Sequence, residues 1–167
     1  MSRQDGPAFD SAFWFQWIMA TTLGWLLGGY LLANLPILPG GIGAGVLQWP
    51  ILYQRIPRAW RWMLASALAW LAGALLLLLA VPADLQPLLP GFVIGPIVGL
   101  GQWLVLRHEV HWAGWWIAIS AVAWTTGLTL LPGALSTGAL SGAITGAVLI
   151  LLFRSAKPAK DAQEDIA

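Results

Sequence analysis

The chain contains no cysteine, which removes disulfide frameworks, thiolate metal sites and cysteine nucleophiles from consideration. Charge is nearly as scarce. Only 9% of the 167 residues are Asp, Glu, Lys or Arg, against about a quarter in an ordinary soluble domain. The seven acids (Asp5, Asp10, Asp84, Glu109, Asp161, Glu164 and Asp165) all lie outside the long apolar stretches. Proton relays and ion-coupled transport usually place ionisable groups within such stretches. Hydrolysis there needs a nucleophile with a base, and Ser66, Ser120 and Ser141 have no His, Lys or acid on their own segments. No enzyme is expected. A net charge of +1 without a dense basic run gives no reason to expect a nucleic-acid partner.

What is present is apolar: 59% of residues are hydrophobic, too many for a disordered chain. Four runs carry no charge, 11–54, 62–83, 85–106 and 112–153, with lengths of 44, 22, 22 and 42 residues. A helical membrane span takes about 20 apolar residues, so two single and two double runs predict six spans. They are placed at 13–33, 40–54, 62–81, 90–106, 113–131 and 137–153. Pro36, Pro39, Pro57, Pro82, Pro87, Pro90 and Pro132 fall in or beside the breaks, because proline lacks a backbone donor and clashes with the preceding turn. Pro50 is the exception inside a span. The first span exceeds the apolar core of a cleavable signal and is read as part of the fold.

All eight basic residues fall in the two tails or in the second and fourth loops. The positive-inside rule then puts both termini in the cytoplasm. The resulting organisation is a tail at 1–12, a six-helix domain at 13–154 and a polar tail at 155–167.

The odd spans share a pattern. Trp17-x3-Thr21-x2-Gly24-Trp25-x2-Gly28 matches Trp62-x3-Ser66-x2-Ala69-Trp70-x2-Gly73 and Trp116-x3-Ser120-x2-Ala123-Trp124-x2-Gly127. The even spans share another, in which Gly41-x3-Gly45-x2-Gln48-Trp49-x2-Leu52 matches Gly95-x3-Gly99-x2-Gln102-Trp103-x2-Leu106. The sixth span keeps Gly142 and Gly146 but has Leu149-Ile150 in place of Gln-Trp. The expected fold is therefore an all-α membrane protein of three tandem hairpins, 13–54, 62–106 and 113–153, with an approximate threefold axis along the membrane normal. Offsets of 0, 4 and 7 return to nearly one helix face. The even-span glycines are thus expected to pack on the small-residue stripes that include Gly28, Gly73 and Gly127, where helix backbones approach closely.

Gln48 and Gln102 continue the glycine stripes and should point inward, either bridging helices to Thr21, Ser66 or Ser120 or binding a small ligand beside Trp49 and Trp103. Nine tryptophans near the basic ends (Trp14, Trp17, Trp49, Trp60, Trp62, Trp103, Trp112, Trp115 and Trp116) suit an interfacial belt. Trp25, Trp70 and Trp124 lie about 12 Å deeper, as lipid-facing bulk, core filling or the lining of a ligand cavity. His108 and His111 are expected to be loop residues, since two histidines without further ligands make a poor metal site. Arg55, Arg58 and Arg61 form a small basic loop suited to anionic lipid headgroups.

The Gly-x3-Gly-x2-Gln-Trp-x2-Leu blocks resemble those of uncharacterised bacterial membrane proteins with tandem Gly-Gln-Trp hairpins, of cyanobacterial and green non-sulfur type. The resemblance covers nearly all of 13–154. It implies a fold and residence in a bacterial plasma membrane, with no chemistry; no cofactor is expected. The expected role is a structural or accessory subunit beside other membrane proteins. The alternatives are the substrate-binding component of a vitamin-type importer and a protein that binds lipid or pigment.

Overall fold

The computed structural model describes residues 9–31 and 37–157, and within them the chain is all-helical. Six helices follow one another: α1 (Ser11–Leu31), α2 (Ile37–Tyr53), α3 (Trp60–Ala80), α4 (Pro90–Leu106), α5 (Trp115–Thr125) and α6 (Ala134–Phe153). Among the described residues the only β pairing is an isolated antiparallel bridge between Val110 and Ala156. Two helices, α3 and α6, are long and apolar enough to cross a membrane.

Proline placement follows backbone chemistry with one surprise. Pro39 falls in the first turn of α2 and Pro90 opens α4, where a missing N–H removes no helical bond. Pro50 lies within α2 as expected, but Pro96 also sits inside α4. Pro36 lies outside the described residues. A second difference is that α5 runs on into a π turn, Thr126–Leu130, where the Leu131 amide donates to the Thr126 carbonyl at 2.8 Å. The wide turn leaves the Gly127 carbonyl to accept from the Thr137 hydroxyl on α6 at 2.7 Å. A tertiary partner thus stabilises a local geometry that no sequence spacing announces.

Neighbouring helices pack in chain order, and α6 returns to α1, so the ring closes. Glycines set how near the backbones come. In the even helices, a Cβ on Gly45 would stand 2.7 Å from the Ser66 Cβ, one on Gly99 2.9 Å from the Ile117 Cα, and one on Gly142 3.0 Å from the Ile18 Cα. Each even helix therefore lays its glycine stripe on the odd helix of the following hairpin: α2 on α3, α4 on α5 and α6 on α1. Gly41, Gly95 and Gly146 extend these seams. The odd-helix stripe does not act as one docking face. Gly24, Gly73 and Gly127 turn toward the even helix of their own hairpin, near Ala44, Ile94 and Ser141 respectively; Gly28 is buried as well.

The backbones of α1, α3 and α5 do not touch one another among the described residues. Indole rings fill the space between them in two layers. In one, Trp62 lies 5.7 Å from Trp17 and 5.5 Å from Trp116 between ring centroids. In the other, Trp25, Trp70 and Trp124 close a triangle with centroid distances of 5.7, 5.8 and 4.7 Å. All six are buried. Trp17, Trp62 and Trp116 are therefore core residues and not members of an interfacial belt. The reason is periodicity: positions 0, 4 and 8 of an α-helix share one face, so each shallow indole points the same way as the hydroxyl and the deep indole that follow it.

Of the other six, Trp49, Trp60, Trp112 and Trp115 are exposed, while Trp14 and Trp103 are half-buried. Trp25, Trp70 and Trp124 fill the core, packed against Ala69, Ile94 and Val98.

Candidate functional site

Between the two indole layers lies a buried polar layer made from Thr21, Ser66, Ser120, Gln48 and Gln102. The repeat dictates its geometry. The Gln48 Nε2 donates to the Thr21 Oγ1 at 2.9 Å, and its Oε1 accepts from the Trp62 Nε1 at 3.0 Å. The second hairpin reproduces both bonds: the Gln102 Nε2 donates to the Ser66 Oγ and its Oε1 accepts from the Trp116 Nε1, each at 2.9 Å. Each amide thus reaches the hydroxyl of its own hairpin and the indole of the next, tying three helices together. An amide or hydroxyl buried without a partner costs on the order of 2–7 kcal/mol, which these bonds remove.

The third hairpin does this differently. Leu149 occupies the amide position, and the Trp17 Nε1 donates to the Thr145 Oγ1 at 3.0 Å instead. Ser120, the counterpart of Thr21 and Ser66, is fully buried and its Oγ has no hydrogen-bond partner. Helix α6 is fastened by hydroxyl-to-carbonyl bonds, with Ser141 donating to the Ala123 carbonyl at 3.1 Å and Thr137 to that of Gly127. The Trp14 Nε1 adds a bond to the Ala143 carbonyl at 2.9 Å.

Trp49 and Trp103 do not join the amides beside them in sequence. Trp49 faces outward, and Trp103 lies under the Arg107 guanidinium, 5.3 Å from ring centroid to Cζ. The indoles that do join, Trp62 and Trp116, are the ones the belt reading places at the surface. Their signal was the shared face of positions 0, 4 and 8.

The described basic residues gather at one end, where Ile56, Ala59, Val110 and Ala113 plug the core beneath them. Asp10 caps α1 there: its carboxylate accepts from the Phe13 amide at 2.9 Å and pairs with Arg55. The Phe13 amide first, and the Arg55 guanidinium second, hold the Asp10 carboxyl below its ordinary range. Glu109 is shifted the other way, raised by burial against the opposing pull of Arg58 and Arg61. The fourth loop is pinned to the tail: the His111 amide donates to the Ser155 carbonyl at 3.0 Å and the Lys157 amide to that of Glu109 at 2.9 Å. His111 and His108 are both loop residues, and the Arg107 Nε donates to the His108 Nε2 at 3.1 Å. Among the described residues no three His, Asp or Glu side chains come together as a metal site.

An open groove of about 530 Å³ runs between α3 and α4 from the basic end, with Arg61 and Glu109 at its mouth. Its signal in the sequence is Gly101, which stands where the other hairpins have Leu47 and Val148. The chain matches no protein-family model, no curated protein and no solved structure.

Proposed function

We propose that this chain is a multi-pass protein of a bacterial inner membrane, with six crossings and both termini cytoplasmic. Its role is that of a non-enzymatic structural or accessory subunit in a larger membrane complex.

The observation that carries this reading is the distribution of polarity. Ser, Thr and Gln side chains are buried between helices, whereas Leu64, Leu68, Leu71, Leu75, Leu78 and Leu79 along α3 are exposed. Water would penalise so long an apolar face, and soluble monomers rarely carry one. Hydrocarbon reverses the preference and leaves small-residue packing and interhelical hydrogen bonds to drive assembly. The basic end then faces the cytoplasm. The 17-residue helices α2 and α4 reach about 26 Å, close to the ~30 Å hydrocarbon core.

The indole layers favour a supporting role over import. An importer of this design needs a cavity beside Trp25, Trp70 and Trp124, and those rings are buried against one another. The two amides, moreover, spend both an N–H and the carbonyl oxygen on protein partners.

Purification from native membranes in a mild detergent, followed by identification of everything retained, tests the role. A stoichiometric membrane-protein partner is the expected result. A stoichiometric water-soluble molecule with no protein partner would overturn it in favour of the importer.

A further inference from the structure

The groove between α3 and α4 has a composition that neither neighbouring hairpin shares. Its walls are apolar: Ala65 and Leu68 on one side, Ile97, Leu100 and Leu104 on the other. Its floor is Gly101, where a Cβ would stand 2.7 Å from the Ala69 Cβ. From Leu68 to Arg61 the wall rises seven residues, about 10 Å along the helix, and ends at the basic end. There Arg61, His108 and Glu109 line the mouth, and Arg58, then Arg61, act on the acid electrostatically. In repeat register the first hairpin has Gln16 and Arg55 at these two positions and the third has Trp115 and Ala156. At these two register positions only the second hairpin carries both signs of charge; the Asp10 carboxylate of the first is already paired with Arg55.

We propose that this groove seats one phospholipid with a primary-amine headgroup, its acyl chain along α3 and α4, its phosphate on Arg61 and its ammonium on Glu109. The inference rests on the membrane reading above. Charge complementarity selects the occupant. The Arg61 guanidinium offers planar donors to phosphate oxygens, and the carboxylate of Glu109 accepts charge-assisted bonds from an ammonium N–H. A quaternary choline has no N–H to give, and a glycerol headgroup carries no positive charge. Burial raises the Glu109 pKa, and an ammonium neighbour would act in the opposite direction.

The test incubates the full-length protein in mild detergent with equal amounts of phosphatidylethanolamine, phosphatidylcholine and phosphatidylglycerol of identical acyl chains. Retained lipid is counted by native mass spectrometry. One retained lipid is expected, with phosphatidylethanolamine favoured over phosphatidylcholine by about two- to fivefold, the scale of one partly exposed ion pair. Glu109→Gln should abolish that preference, and Ala65→Leu, which fills the channel from a half-buried wall position, should remove the bound lipid. Equal retention of the three headgroups, or a preference unchanged in Glu109→Gln, overturns the proposal. Extraction of the same proteins from membranes at alkaline pH separates the two readings. A chain that stays in the membrane but shows no selectivity defeats the lipid site alone, whereas one that washes off defeats the membrane reading beneath it.

Discussion

The first two hairpins and the third solve one packing problem with different chemistry. In the first two, a glutamine bridges its own hydroxyl and the next hairpin's indole, satisfying both with one side chain. In the third, Leu149 takes that place, Thr145 receives the Trp17 indole, and Ser120 is left buried without a partner. The glycine seams, by contrast, are common to all three. Close backbone approach is thus the shared requirement, and the amide bridge is a reinforcement that two seams have and the third lacks.

Gly99→Leu and Gly146→Leu attack what all three seams share, so they should do the most damage whether or not an amide lies nearby. A Cβ alone would meet the Ile117 Cα at 2.9 Å in the first case and the Trp17 Cδ1 at 2.8 Å in the second. Both variants should lose more than about 3 kcal/mol, beyond ordinary overpacking, and elute as aggregate on size exclusion in detergent. A folded, monodisperse Gly146→Leu would show that the third seam is looser than the other two.

Next in size is Gln102→Leu, which gives the second seam the leucine of the third but not its threonine, since Val98 stands where the third has Thr145. It leaves the Ser66 hydroxyl and the Trp116 N–H unpaired and should cost about 1–3 kcal/mol, seen as a lower thermal midpoint. Ser66→Ala against Ser120→Ala sharpens the contrast further. The first removes a hydroxyl that an amide needs, at about 1 kcal/mol. The second removes one that is already unpartnered and should fall within about ±0.5 kcal/mol of wild type. Smallest is Leu149→Gln, whose amide should donate to the unpartnered Ser120 hydroxyl while the single Trp17 N–H stays on Thr145, raising stability by no more than about 0.6 kcal/mol, a typical interhelical hydrogen bond in a membrane.

Much of this contrast is legible in the sequence. The spacing of Gly41, Gly45 and Gln48 against Gly95, Gly99 and Gln102 places the amides on the packing face, and the hydroxyls at Thr21 and Ser66 stand ready as their partners. The depth of Trp17, Trp62 and Trp116 is harder to read. Proximity to a helix end and to arginines points to the interface, while the shared face with Trp25, Trp70 and Trp124 points inward. The inward reading holds because three helices that do not touch leave a gap only large rings fill. The π turn at Thr126–Leu130 depends on Thr137 arriving from another helix, so nothing local encodes it. The groove rests on a single absence, the side chain missing at Gly101, which shows only when the three hairpins are aligned.

Because the chain has no cysteine, single cysteines report topology without background. In intact cells, Asp84→Cys should react with a membrane-impermeant maleimide, while Arg58→Cys and Lys157→Cys should react only after the membrane is opened. Labelling of positions 58 and 84 from the same side would contradict the six-crossing arrangement on which the rest of the account stands.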